Sequence, residues 1–397
     1  MKKNVVILGS TGSIGSETIK LFKKDKKNFS IKLLSTNKNI SKVYKQATYF
    51  NVKDVIVTDL NSFKKAKYIY RDSNIKFYNS FSSIEKLFKK KELFYTMISI
   101  VGLDGLEPSL RLIKYSKNIA IINKESLICG WNLIYKNLKK HKTFFFPLDS
   151  EHFSIFSLMK NSSYRNLEKV IITASGGPFL DYNKIKFSKI KLSDALKHPN
   201  WHMGKKISID SATMMNKLFE VIEAKKIFKL SYDIIDILIH PKSYVHSILK
   251  FNNGLTKILI HEPKMKIPIH NSLYYNEYKT IKSKKLDLKI LNNLNFQSID
   301  YKKFPLLKLI KKIPIKDSLF ETVLVCVNDF FVEKFLQEKI TYKELINNIY
   351  YFCNHKTFLK FKRISPTNIK DIYKTRNFVY EMLNNYSINF TNVKNCF

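Results

Sequence analysis

Over the first 150 residues short apolar runs alternate with longer amphipathic stretches. Val5–Gly9, Ser30–Thr36, Asp54–Thr58, Tyr95–Val101, Asn118–Ile122 and Thr143–Leu148 read as strands, with helical patterns such as Ser16–Lys24 and Leu106–Tyr115 between them. Strands alternating with helices predict an α/β segment built on a doubly wound parallel sheet. From residue 151 the pattern changes. A helical start, Glu151–Met159, leads to a strand, Val170–Thr173, then a polar loop and a long helical stretch, Ala212–Phe228. Strand-like runs Ile234–Ile239 and Tyr244–Phe251 flank His240-Pro241-Lys242, and Gly254 suits a hairpin turn before Leu255–Ile260. Residues 151–275 therefore read as an α+β domain, 276–300 as a polar linker, and 301–397 as a small helical C-terminal domain without glycine.

Composition narrows the function classes. A chain of 397 residues, 45% hydrophobic, fills more than one ordinary core. No apolar run is long enough to span a membrane. The first strand begins almost at the N-terminus, so no signal or transit peptide is expected. Four widely spaced cysteines form no metal or disulfide pattern, so a reducing cytoplasm is the expected compartment. The net charge of +38 suggests nucleic acid, but only five of the basic residues are arginines: Arg71, Arg111, Arg165, Arg363 and Arg376. Lysine spread evenly among Asn, Ile, Phe and Tyr reads as compositional drift rather than a base-reading surface, which would favour arginine forks. No nucleic-acid partner is expected. The positive field still favours an anionic ligand.

Against that drift the ten glycines are informative, because those that remain should stand where a Cβ does not fit. Gly9-Ser10-Thr11-Gly12-Ser13-Ile14-Gly15 lies between the first strand and the first helix. That placement predicts a Rossmann-like sheet whose helix N-terminus carries a pyrophosphate. An NAD site expects an acid after the second strand. Here Ser35-Thr36-Asn37-Lys38-Asn39 offers none, and Lys38 would welcome a 2′-phosphate, so NADPH is the expected cofactor.

Acidic clusters stand out in so basic a chain. Asp149-Ser150-Glu151 follows the last strand of the parallel sheet, and on an extended segment Asp149 and Glu151 would face one cation. Their oxygens suit Mg²⁺ or Mn²⁺. Downstream, Asp210 or Ser211 is expected to cap the following helix, on which Asn216, Lys217 and Glu220 share a face. Thr173-Ala174-Ser175-Gly176-Gly177-Pro178 offers backbone N–H groups and a hydroxyl to an anion. His198-Pro199-Asn200-Trp201-His202-Met203-Gly204 reads as a flap carrying one of the two tryptophans.

Together these segments resemble the 1-deoxy-D-xylulose 5-phosphate reductoisomerase family. The likeness rests on GSTGSIG at 9–15, NKES at 123–126, DSEH at 149–152, SGGPF at 175–179, HPNWHMGKKISIDSATMMNK at 198–217 and IHPKSYVHS at 239–247. It implies a cytoplasmic, homodimeric, NADPH- and Mn²⁺- or Mg²⁺-dependent enzyme that rearranges and reduces a small phosphorylated sugar. By resemblance, Thr11, Gly12, Ser13, Ile14, Lys38, Asn39, Asn123, Glu125 and Gly204 fall on cofactor positions. Asp149, Glu151 and Glu220 fall on metal ligands. Lys124, Ser150, Glu151, Ser175, His198, Trp201, Ser211, Asn216, Lys217 and Glu220 fall on substrate positions, with Lys124 and the three acids catalytic. The chain departs from the family's usual pattern at Asn37 and Leu218, where glycine is usual, and at Val327-Asn328-Asp329, which replaces an Asn-Glu motif. Leu218 is expected to narrow the pocket, and the shorter acid at 329 to loosen the C-terminal packing. Other readings of the same features are a different NADP-dependent oxidoreductase of a small phosphorylated aldehyde, or a basic nucleic-acid-binding protein.

Overall fold

The structure, a computed structural model, describes residues 2–182, 189–201, 203–285 and 287–387. His202 of the expected flap, Leu286 of the expected linker, and residues 388–397, Cys396 included, lie outside the described residues. The chain divides into two compact units: 1–127 with 131–153 and 265–282, and 128–130 with 154–264 and 283–397. The segments expected as a central α+β domain and a helical C-terminal domain thus fall largely in one unit.

The first unit is built on seven strands: β1 (Lys3–Leu8), β2 (Phe29–Thr36), β3 (Asp54–Val57), β4 (Lys76–Tyr78), β5 (Leu93–Ile98), β6 (Ser116–Ile121) and β7 (Phe144–Pro147). All pair in parallel, in the order β4-β3-β2-β1-β5-β6-β7. The continuous apolar run of β1 follows from covered faces on both sides, and Val5, Val6, Ile7 and Leu8 are wholly buried. β4 has only three residues, too few for a periodic signal, and sequence reading misses it. Helix α1 (Ser13–Lys24) buries Gly15, Thr18, Ile19 and Phe22, spaced as one helical face. Helix α2 (Ile40–Phe50) is capped by Asn39, whose side chain accepts from Lys42 N–H. Helix α3 (Lys124–His141) is interrupted by non-helical backbone at Gly130. Residues 265–282 are tied into this unit: the Tyr274 hydroxyl donates to Asp25 Oδ2 at 2.5 Å, the Tyr95 and Ser272 hydroxyls lie 2.7 Å apart, and Lys3 pairs with Glu277.

Helix α4 (Ser150–Leu158) leads from β7 into the second unit. The second unit holds a mixed sheet of β8 (Leu167–Ala174), β9 (Ile235–Ile239), β10 (Val245–Phe251) and β11 (Thr256–Ile260), ordered β11-β10-β8-β9. Gly254, at φ +84°, makes the expected hairpin turn between β10 and β11. Val170, Ile172 and Leu249 from the sheet pack with Val221, Ala224 and Phe228 of a helix in one apolar cluster. The helical expectation near there needs correction. Instead of one helix from Ala212 to Phe228 there are two, α5 (Lys205–Ala212) and α6 (Met215–Phe228), broken at Met214 with φ +63°. Asp210 and Ser211 therefore lie inside α5 and do not cap α6, and the N-cap of α5 is Gly204. Tertiary bonding sustains the break: the Tyr342 hydroxyl donates to the Ala212 carbonyl at 2.8 Å, satisfying a group the helix end leaves open. The C-terminal part is helical, with α7 (Phe320–Leu336), α8 (Tyr342–Cys353) and α9 (Ile369–Ser387). Among the described residues no helix is long and apolar enough to cross a membrane.

Candidate active site

In the first unit the singled-out residues gather at the C-terminal edge of the parallel sheet. Thr11, Gly12, Ser13 and Ile14 follow β1, Lys38 and Asn39 follow β2, Asn123 follows β6 and Asp149 follows β7. Ligands bind at this edge, beside the β1/β5 pair where the strand order reverses. A Cβ on Gly15 would stand 2.2 Å from the Gly9 carbonyl oxygen, so glycine alone lets α1 start this close to β1. Gly12 supplies no side-chain cap, which leaves the first N–H groups of α1 directed at a ligand. The Thr11 and Thr36 hydroxyls meet at 2.7 Å, and Lys42, which sequence reading passed over, donates from Nζ to the Thr11 carbonyl at 2.8 Å. No acid follows β2, and this edge fits a 2′-phosphorylated dinucleotide.

Asn123 caps α3 by accepting from Ser126 N–H, while its amide donates to the Ile100 and Gly102 carbonyls. That cap fixes the helix start, and with it Lys124 and Glu125, both buried. Lys124 is ion-paired with Asp149, and His152 Nδ1 lies 3.5 Å from the same carboxylate. Burial by itself would raise the Asp149 carboxyl. The Lys124 ammonium and His152 outweigh it and hold the group well below the usual carboxylate range. Ser150 Oγ donates to Glu151. The expected extended D-x-E geometry is not found, because α4 already begins at Ser150 and the Asp149 carbonyl accepts from Phe153 N–H. The helical turn still brings an oxygen of each acid within 4.8 Å of the other. All-oxygen donors at that spacing fit a hard divalent cation.

The second unit contributes Ser175, His198, Trp201, Gly204, Ser211, Asn216, Lys217 and Glu220. His198 Nδ1 accepts from the backbone N–H groups of Asn200 and Trp201 at 3.1 and 3.0 Å, so it carries no proton. Burial lowers the ring's pKa to about 4, and the ring is neutral at physiological pH. Its proton therefore sits on Nε2 and is donated to Ser175 Oγ, 3.0 Å away. Gly177 N–H also donates to that oxygen, at 3.1 Å. Ser175 thus accepts twice and keeps its own proton to donate to a ligand. Gly177, at φ +68°, brings the Ser175 loop against α5, where a Cβ would stand 2.9 Å from the Ser211 carbonyl oxygen.

One turn of α6 carries the remaining groups. Asn216 donates from Nδ2 to Glu220 Oε1 at 2.5 Å, and Lys217 is ion-paired with Glu220 Oε2. Asn216 Oδ1 is buried with no protein donor. Leu218, the family departure on this turn, is wholly buried in the core. At the flap, Asn200 donates to the Pro241 carbonyl and Ser243 Oγ, and the Trp201 ring lies edge-on to His246 at 6.2 Å. His152 and Asn200 sit inside motifs already quoted from the sequence, which is the signal that would have found them.

Family comparison agrees with this arrangement. A family model described as "1-deoxy-D-xylulose 5-phosphate reductoisomerase" matches residues 5–130, and two C-terminal domain models of that enzyme match 145–228 and 260–381. The 1-deoxy-D-xylulose 5-phosphate reductoisomerase of Pelagibacter ubique is 53% identical over 387 residues, covering 97% of this chain and 100% of that protein. The enzyme of Chloroherpeton thalassium is 36% identical over 349 residues, 87% of this chain and 90% of that one. Among solved structures, the Zymomonas mobilis enzyme in complex with NADPH is similar with a TM-score of 0.82 and 28% identity, over 96% of this chain and 97% of that one. A reductoisomerase in complex with NADPH, fosmidomycin and magnesium gives 0.88 and 29%, over the same shares. The chain belongs to the 1-deoxy-D-xylulose 5-phosphate reductoisomerase family.

Proposed function

We propose that the chain converts 1-deoxy-D-xylulose 5-phosphate into 2-C-methyl-D-erythritol 4-phosphate, the committed step of non-mevalonate isoprenoid synthesis, using NADPH and Mn²⁺ or Mg²⁺. Similarity to the Pelagibacter ubique enzyme over nearly the whole chain supports the reaction. The observation in the site that carries it is the single turn of α6 on which an amide whose oxygen has no protein donor, an ammonium and a carboxylate stand together: Asn216, Lys217 and Glu220.

Thr11, Gly12, Ser13, Ile14, Lys38, Asn39, Asn123, Glu125 and Gly204 hold the cofactor. Asp149, Glu151 and Glu220 hold the cation. When bound, NADPH supplies the hydride that reduces the rearranged aldehyde. When bound, the cation polarises the substrate's ketone and neighbouring hydroxyl oxygens. The chain's own groups do the rest. Ser175 Oγ–H, Ser211, Asn216 and the Lys217 ammonium anchor the phosphate, and His198 fixes the direction of the Ser175 hydroxyl. Lys124 and Ser150 orient the sugar beside Asp149 and Glu151, and Trp201 closes over it to exclude water. The protein works in the cytoplasm as a homodimer, for which Ile258 on the edge strand β11 and Leu255 just before it offer exposed apolar side chains.

The test is NADPH oxidation with 1-deoxy-D-xylulose 5-phosphate and Mn²⁺. Turnover that stops on chelation and returns with metal is expected. Turnover only on other phosphorylated aldehydes would overturn the reading.

A further inference from the structure

The C-terminal helices carry none of the residues assigned above, yet they hold the segment that does. Asp210, on α5 beside Ser211, is buried. Its Oδ2 accepts from Lys206 Nζ at 2.9 Å, one turn back on the same helix. Its Oδ1 accepts from Asn328 Nδ2 of α7 at 2.8 Å. Lys206 also reaches the Asp329 carboxylate at 2.9 Å. Asp329, the shorter acid at this position, thus joins the network of Asp210, Lys206 and Asn328. The Tyr342 bond to the Ala212 carbonyl holds the end of the same helix.

Stability alone does not account for these groups. Well-packed apolar side chains serve a buried interface as well as a buried ion network does, and often better. Asn328 is wholly buried, and its Oδ1 has no donor, which costs stability. The amide makes one bond, from Nδ2 to Asp210. What such bonds add over apolar packing is direction. Lys206 and Asp210 share a face of α5, and gripping that face from α7 fixes how far the helix is rotated. The rotation decides where Ser211, the next residue, stands, and where α6 starts after Met214.

We propose that Asn328 and Asp329 are positioning residues for the phosphate anchor, acting through Asp210 and Lys206 on Ser211 and the turn that carries Asn216 and Lys217. The proposal rests on the phosphate assignment made above.

The experiment uses the full-length protein and three ligands: the substrate, inorganic phosphate as a competitive inhibitor, and 1-deoxy-D-xylulose, which lacks the phosphate. Asn328→Leu removes the amide without leaving an unpaired polar group from its own side chain. It is expected to raise KM and to weaken phosphate inhibition about tenfold, with kcat changed by less than about threefold. Inhibition by 1-deoxy-D-xylulose and affinity for NADPH stay as in the unaltered chain. If Asn328→Leu does not fold, the partly exposed Asp329 decides: Asp329→Asn gives the same pattern, and Asp329→Glu, which retains the carboxylate, keeps the phosphate affinity of the unaltered chain. A folded variant that leaves phosphate affinity unchanged overturns the proposal, as does one that weakens all three ligands together. Ser211→Ala and Lys217→Gln run in parallel. If these leave phosphate inhibition intact, the phosphate assignment falls, and the proposal falls with it for that distinguishable reason.

Discussion

Lys217 and Glu220 face each other one turn apart on α6 as an ion pair whose side chains are only 4% and 1% exposed. The Glu220 charge therefore depends on its neighbours. Lys217→Met takes the ammonium from that buried carboxylate, and it should cost about 3 kcal/mol without divalent metal. Added Mn²⁺ should return part of that loss. Thermal unfolding with and without Mn²⁺ checks it: an equal metal-induced shift in both proteins would argue against Glu220 as a ligand.

Glu220→Gln keeps the shape and the Asn216 contact but removes the charge. Metal affinity and kcat/KM are each expected to fall by about a hundredfold or more, by the scale of metal-site substitutions. Manganese titration followed by activity and by direct binding measures both. Full activity in this variant would remove Glu220 from the metal set.

Gly15→Ala places a methyl group 2.2 Å from the Gly9 carbonyl oxygen if nothing moves. Both atoms belong to backbone, so α1 must shift from β1, at about 1–3 kcal/mol. NADPH affinity, followed by the quenching of protein fluorescence, should fall more than tenfold by the same displacement. Unchanged affinity would mean that the helix start does not carry the pyrophosphate.

Much of this was legible in the sequence because a local pattern determined it. The apolar run Val5–Leu8 of β1 and the glycine loop after it needed no tertiary information, nor did the shared face of Asn216, Lys217 and Glu220. What escaped was set by distant partners. The residue type at Met214 does not mark a helix end; besides local bonds of Thr213, the Tyr342 hydroxyl, 130 residues beyond Ala212, bonds that end. β4 is too short to show a period, and Gly130, unexplained by sequence, proves to interrupt α3. Asp210 reads as a cap by residue type, yet Asn328 and Lys206 give it a different use.

His198 predicts a pH dependence. Folded, the ring resists a proton down to about pH 4, while an unfolded histidine takes one near 6.5. Between those values the unfolded chain binds more protons, so this contribution is complete above about 6.5 and is lost as pH falls toward 4. Burial shifts His240 and His270 in the same direction. His198→Gln should therefore flatten, without abolishing, the fall in Tm over that range. An unchanged slope would mean that the ring is not held neutral.

Residues 265–282 have a consequence for biosynthesis. The sheet of the first unit is complete in sequence by Pro147, but Asp25, Tyr95 and Lys3 also have partners much later in the chain, at Tyr274, Ser272 and Glu277. A ribosome adding about 5–20 residues per second has made the nucleotide-binding sheet many seconds before it makes the segment that finishes it. During that interval the Tyr95 hydroxyl and the Phe29 ring lack the Ser272 and Tyr274 side chains that meet them in the finished chain. The first unit therefore gains its last side-chain contacts only after residues 265–282 have been made.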